Sequence, residues 1–259
     1  MMKRLLVLLG LLLSTLCISR PPIEGELRIT LDVPSQVYAD EEIRVYLDLD
    51  NRGNRTFKID VAEFFDTDGF EKLSTCSRTN FILRPNGYES VECRLRYVST
   101  PVPAEAKISA RVEYSTNLTL VAPILLLTEE EYEKRRIAGT VGGLKERYSV
   151  SDGTMRVELE LRANPILMRG KEEYVYLSLE NLGDGIPENM RIDVQGTTPS
   201  GILTCPSGEI RSIGGKIEKV VCTIDVAAAR DRTYLNLLAK IQLNYDYKVR
   251  KTATVSVIR

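Results

Sequence analysis

Two cysteines seventeen residues apart occur twice in this chain, and their surroundings repeat with them. Thr75-Cys76 with Val91-Glu92-Cys93 answers Thr204-Cys205 with Val220-Val221-Cys222, the separations being 93 − 76 = 17 and 222 − 205 = 17. Upstream, Val45-Tyr46-Leu47-Asp48-Leu49-Asp50-Asn51-Arg52-Gly53 answers Val175-Tyr176-Leu177-Ser178-Leu179-Glu180-Asn181-Leu182-Gly183, identical at six of nine positions. Ile59-Asp60-Val61 answers Ile192-Asp193-Val194, and Ala110-Arg111-Val112 answers Ala239-Lys240-Ile241. A period of about 130 residues is too long for a solenoid and suits two domains of ordinary size.

Alternation inside each copy sets the secondary structure. Ile43, Val45, Leu47 and Leu49 alternate with polar residues, which at a period of two makes a strand buried on one face. Asn51-Arg52-Gly53 and Asn181-Leu182-Gly183 end it, because Asn and Gly tolerate the backbone of a tight turn. The apolar rows Val91, Cys93, Leu95, Tyr97 and Val220, Cys222, Ile224, Val226 place both second cysteines in a core.

The expected fold is therefore all-β: two tandem immunoglobulin-like antiparallel β-sandwiches joined by a short helical linker. The boundaries are a signal peptide over 1–19, sandwich 1 over 20–127, helix and flexible linker over 128–150, and sandwich 2 over 151–259. Strands are expected at Lys107 to Tyr114 and Leu118 to Leu126, and again at Leu235 to Tyr247 and Val249 to Ile258. Thr128-Glu129-Glu130-Glu131 reads as a capping box, with Glu130/Lys134 and Glu131/Arg135 spaced for helical ion pairs and Gly139 as the stop. This charged helix reads as a solvated spacer. Antibody domains differ, pairing distant cysteines against a tryptophan, whereas Trp is absent here.

Lys3-Arg4 followed by the apolar run Leu5 to Ile18 and then Ser19 reads as an export signal. Fourteen residues are short of the roughly 20 that span a bilayer. An uncleaved anchor and a lipidated Cys17 are the alternatives. Cleavage leaves four of five cysteines, and in an exported chain four cysteines imply disulfides with three conceivable pairings. The repeat selects Cys76 with Cys93 and Cys205 with Cys222, one bridge per half, with Cα atoms expected about 5.5 Å apart.

Histidine is absent, which removes His-based triads and the commonest zinc ligand. With the cysteines bridged, thiol and thiolate chemistry goes too, so no catalytic residue, metal site or cofactor is expected. Asp66-Thr67-Asp68-Gly69 reads as a turn rather than a calcium loop, lacking the third acid before its Gly. A formal charge of −1, becoming −1 − 2 = −3 without Lys3 and Arg4, offers no nucleic-acid footprint. Asn54-Arg55-Thr56 and Asn117-Leu118-Thr119 are N-glycosylation sequons at expected turns. Tyr245 and Tyr247 share one strand face, as core residues or as an aromatic platform for sugars. Three glutamines beside 35 + 36 = 71 charged residues give a balance that resembles proteins of heat-loving prokaryotes.

The two nine-residue signatures, the Ile59-Asp60-Val61 strand and a final Tyr-rich hairpin resemble the CARDB and S-layer-associated Ig-like modules of archaeal or bacterial secreted surface proteins. The resemblance implies an adhesive or architectural role outside the cytoplasm, with no catalytic residues to carry over. The expected function is a non-catalytic extracytoplasmic binding or structural protein of the cell envelope, its partner an envelope protein or glycan. Membrane contact comes only through an uncleaved N-terminal segment. Alternatives are a carbohydrate-binding module or accessory domain of a glycan-active enzyme system, and a carboxylate-dependent glycan hydrolase.

Overall fold

The computed structural model describes residues 26–99, 104–195, 201–213 and 216–258, with the side chains of residues 213 and 216 left aside. The proposed leader over 1–19 lies outside them. In chain order the first half carries β1 (Leu27–Asp32), β2 (Gln36–Tyr38), β3 (Glu42–Asn51), β4 (Phe57–Thr67), β5 (Phe70–Lys72), β6 (Ser77–Leu83), β7 (Tyr88–Tyr97) and β8 (Glu105–Leu127). After α1 (Glu129–Ile137) come β9 (Arg147–Ser151), β10 (Met155–Glu160), β11 (Ile166–Leu167), β12 (Glu172–Asn181), β13 (Ile186–Val194), β14 (Leu203–Thr204), β15 (Glu209–Ile210), β16 (Ser212–Ile213), β17 (Lys216–Ile217), β18 (Val220–Asp225) and β19 (Tyr234–Ile258).

Antiparallel sheets dominate. One has the order β1-β3-β7-β5, and its counterpart in the second half is β14-β18-β12-β10-β9. A third, β15-β13-β19-β8-β4-β6, belongs to both halves. Its spine is a ribbon of β8 and β19, 23 and 25 residues long, paired antiparallel from Glu105/Ser256 to Tyr234/Leu127 without a break. At its middle Thr116 faces Tyr245, and 245 − 116 = 129 is the offset between the cysteine pairs (205 − 76). A residue there faces its own repeat counterpart, so the two copies meet about a local twofold axis. Each long strand leaves its own half and continues into the other. β8 pairs β4 from Ile108 to Ser115 and then β11 at Leu126 and Leu127, while β19 pairs β13 and then β2 at Ser256 to Ile258.

This corrects two expectations. Residues 107–114 and 118–126 are one strand, and so are 235–247 and 249–258, so no terminal hairpin forms. Ser115, Thr116 and Asn117 look like a polar turn in sequence, but the alternation runs through them, with Tyr114 and Leu118 buried and Ser115 and Asn117 turned out. Neither Gly nor Pro is present to reverse the chain. The helix is thus one connection between the halves, and the ribbon is a second and larger one. Residues 147–150, counted with the linker in sequence, belong to β9.

The helix has the expected start and stop. Glu131 N–H donates to Thr128 Oγ1 at 3.3 Å, Lys134 and Arg135 sit 2.8 and 2.7 Å from Glu130 and Glu131, and Gly139 follows at φ 68°. No helix among the described residues is long and apolar enough to cross a membrane. One continuous core includes Val45, Leu47 and Leu49 from β3, Ile108 and Val112 from β8, Val175 and Leu177 from β12, and Ile241 and Leu243 from β19. Burying a Leu or Ile side chain fully contributes roughly 1.5–3 kcal/mol.

Candidate functional site

Both expected bridges are present, Cys76–Cys93 and Cys205–Cys222, with Cα atoms 4.6 and 4.2 Å apart. These are closer than expected, and the second has a plain cause. The β14–β18 register pairs Leu203 with Ile224 and Thr204 with Thr223, so Cys205 falls directly opposite Cys222. Asp225 N–H donates to Ile202 C=O at 2.8 Å, which makes the cysteine pair a non-hydrogen-bonded one, where Cα atoms approach to about 4.5 Å. In the first half Leu73 N–H still bonds Arg94 C=O at 2.8 Å, and then the chain steps out of register. Ser74 Oγ takes the Arg94 N–H at 2.9 Å, and Cys76 C=O accepts from Phe64 N–H at 2.9 Å, on the other sheet. That bridge therefore sits where the chain crosses between sheets. Two closed disulfides fit an oxidising compartment.

Polar chemistry concentrates at the seam of the halves, close to the twofold axis. Asp152, 4 % exposed, follows β9 and accepts from Thr154 and Met155 N–H at 2.9 and 2.7 Å through Oδ1. Its Oδ2 accepts from the Tyr245 hydroxyl and lies 3.3 Å from Arg55 Nη2. That nitrogen is buried and makes an ion contact without hydrogen-bond geometry. Arg55 also reaches Glu26 Oε2 at 2.8 Å and the Asn117 carbonyl at 2.8 Å. Burial works against the Arg55 charge, and the Glu26 and Asp152 carboxylates outweigh it, so its pKa moves up. Phe57, Tyr114, Tyr247 and Tyr245 form a chain of ring contacts, with centroids 5.4, 5.7 and 6.3 Å apart. Burial, more than any neighbour, raises the Tyr114 and Tyr245 phenols well above the ordinary tyrosine value.

Tyr245 and Tyr247 are each 2 % exposed, so they are core residues and cannot be the sugar platform. Tyr247 Oη donates to Asn181 Oδ1 at 2.8 Å and accepts from Gly185 N–H at 2.9 Å. A Cβ at Gly185 would stand 2.5 Å from the Lys248 carbonyl oxygen, so the close approach needs glycine. Asn51 and Asn181 hold the matching turns, accepting from Gly53 and Gly183 N–H at 3.1 and 3.2 Å.

Of the sequons, Asn54 is exposed in a turn. Asn117 is exposed too, but in mid-strand opposite Asn244, so its expected turn is absent. Asp68 and Gly69 form the turn between β4 and β5, with Gly69 at φ 75°. Among the described residues no group of three or more His, Cys, Asp or Glu is placed to hold a metal.

Sequence reasoning missed the open grooves of the second half, where β15 covers little of the sheet edge. One of about 750 Å³ lies between the Gly185–Met190 stretch and residues 209–212. Another of about 540 Å³ lies between Ile210 and Val220–Val221, flanked by Glu209, Glu218 and Lys219. Their walls mix apolar and charged groups.

No family model matches this chain, and no curated protein matches it. Among solved structures it is similar at 11 % identity to a protein of unknown function from Porphyromonas gingivalis W83, covering 80 % of this chain and 86 % of that one, with a TM-score of 0.27. Red sea bream transglutaminase matches at 11 % identity over 91 % of this chain and 32 % of its own, with a TM-score of 0.24. The secreted serine protease VesC of Vibrio cholerae matches at 10 % identity over 92 % and 53 %, with a TM-score of 0.27. Superpositions this loose carry no argument about fold or activity.

Proposed function

We infer that this chain is a non-catalytic, extracytoplasmic protein of the cell envelope that acts by surface contact. Each half is read as an Ig-like sandwich of the CARDB and S-layer-associated kind, with a protein or glycan of the envelope as partner. The observation that carries the reading is the pair of matched disulfides, one in each copy of the repeat. A bridge over a loop of this size contributes roughly 3 kcal/mol in the chain-entropy model, which is useful to a protein that meets no reducing system. The shared ribbon supports the architectural side, since two halves tied along 23 residue pairs hold a fixed spacing between their outer surfaces.

The test is fractionation of the native cells with thiol-blocking at lysis. The reading expects the protein in the envelope or medium, Cys76, Cys93, Cys205 and Cys222 unreactive, and a partner retained on affinity capture. A cytoplasmic pool with free, alkylated thiols would overturn it.

A further inference from the structure

The two halves treat one sheet edge differently. In the second half β9 lies along the outer edge of β10, pairing Val150 with Val157 and Tyr148 with Leu159. In the first half β1 is the counterpart of β10, and among the described residues no strand lies beyond it. Arg52 N–H donates to Glu26 C=O at 2.8 Å, so the even-numbered residues of β1 bond β3. The N–H and C=O groups of Leu27, Ile29 and Leu31 therefore point to the open side. The side chains register the same vacancy. Val157, Leu159 and Leu161 are 1, 0 and 3 % exposed under β9, whereas Ile29, Leu31 and Val33 are only half-buried.

The upstream sequence is poorly suited to supply the strand. Counting back from β1 as β9 counts back from β10 puts Pro22 in the place of Val150, and proline has no N–H to give the ladder. Along its six residues the edge carries no Pro, Lys or bulge, and its only charges, Arg28 and Asp32, are of opposite sign. Of the other edge strands, β5, β14 and β15 offer only two or three residues each, β9 has five, and the seven residues of β6 are interrupted by Asn80 at φ 53°.

We propose that the β1 edge pairs with the β1 edge of a second copy of this chain, antiparallel about a twofold axis at Thr30. The charge pattern selects the partner and the register. With Thr30 opposite its own copy, Ile29 faces Leu31 of the second copy and Leu31 faces its Ile29, all with outward N–H and C=O groups. Arg28 then faces Asp32 of the second copy, twice over, on the exposed face. Within one chain, neither Arg28 nor Asp32 has an ion-pair partner among the described residues, and both are exposed. The paired edges join two four-stranded sheets into one of eight and bring the half-buried Ile29, Leu31 and Val33 of both copies together at the seam.

Sedimentation equilibrium of the purified, disulfide-closed chain tests this. The expected result is a reversible monomer–dimer equilibrium. Asp32→Arg sets like charges opposite each other at both symmetric positions and weakens the dimer roughly tenfold. Arg28→Asp combined with Asp32→Arg restores opposite charges and recovers the wild-type dimer, with unchanged circular dichroism and disulfide map as the folding control. A monomer at every concentration up to about 1 mM overturns the proposal. So does a dimer indifferent to Asp32→Arg, or a double variant no stronger than the single one. Capture of an unrelated strand on this edge, with the chain itself monomeric, assigns the edge to a different partner and likewise overturns self-pairing.

Discussion

After its bridge the first half lays Ser77–Leu83 along β4 as a seven-residue strand, while the second half, with the same seventeen-residue spacing, lays only Glu209–Ile210 along β13. The difference lies in the residues between the cysteines. Ser77 to Leu83 contains no Gly or Pro and ends on Leu83, 2 % exposed, whereas Cys205 is followed by Pro206-Ser207-Gly208. Pro cannot donate to a ladder and Gly weakens one, so the second copy pairs late and briefly. Irregularity of the partner strand does not separate the copies, since β13 shifts register against β19 between Glu188 and Arg191 and β4 shifts twice against β8. A duplicated scaffold thus keeps its bridge and its central strands while one copy relaxes an edge into grooves. At the seam the two copies are mutually dependent instead, because each ends in the other's sheet.

The largest expected effect tests that dependence. Asp152→Ala removes one of the two carboxylates beside Arg55 and leaves the Tyr245 hydroxyl and the Thr154 and Met155 N–H groups without their acceptor, a loss on the order of 3–5 kcal/mol. Because Arg55 and Asp152 come from different halves, calorimetry should show one lowered transition; two separated transitions would mean that the halves fold independently. Removing a bridge comes next, at roughly 3 kcal/mol for either pair. Cys205→Ala with Cys222→Ala should speed hydrogen exchange across residues 209–217, whereas Cys76→Ala with Cys93→Ala should leave 77–83 protected by the β4 ladder. Equal exchange in both loops would erase the contrast between the copies.

Alkali probes the seam without mutation. The folded-state phenols of Tyr114 and Tyr245 lie above their unfolded value of 10.0. Their contribution is complete below that pH and is lost as the pH rises above it, since only the unfolded chain ionises freely. Each removes about 1.4 kcal/mol per pH unit there. Spectrophotometric titration should find these phenols ionising together with unfolding, and free titration in the folded state would contradict their burial.

A smaller effect sharpens the comparison of the turns. Asn51, fully buried, gives its amide to the Arg55 and Arg84 carbonyls at 2.7 Å each, while Asn181 gives its amide to Gly185 C=O at 2.8 Å and is only half-buried. Asn51→Ala should cost about 2–3 kcal/mol and Asn181→Ala about 1–2 kcal/mol in urea denaturation, because Asn51 is fully buried whereas Asn181, which also holds the Tyr247 hydroxyl, is only half-buried. The smallest is Thr128→Ala, about 1 kcal/mol for a lost helix cap.

Much of this was legible in residues. β7, with its row of Val91, Cys93, Leu95 and Tyr97, was part of it, because residues 88–97 alternate between Pro85-Asn86-Gly87 and a Ser-Thr-Pro break. Both cysteine pairings were legible because the repeat removes the crossed alternatives. β9 was not, since Arg147 to Ser151 carries only Tyr148 and Val150 as apolar signal. Asp152 gave no signal in the sequence, because nothing local distinguishes an aspartate that will be buried under Arg55 and Tyr245 from one facing water.

The sequence alone therefore determined the duplication, the strand-rich class, the helix with its cap and both bridges, all features written in spacing, alternation or local hydrogen bonding. Tertiary structure alone decided that β8 and β19 run past their own halves, that Arg55 and Asp152 meet, and that β9 covers one edge while no described strand covers that of β1. The reason is physical. Period-two alternation tells a strand which face to bury but not which strand will lie beside it, and that choice is settled by which backbone edges remain unpaired once the core has closed.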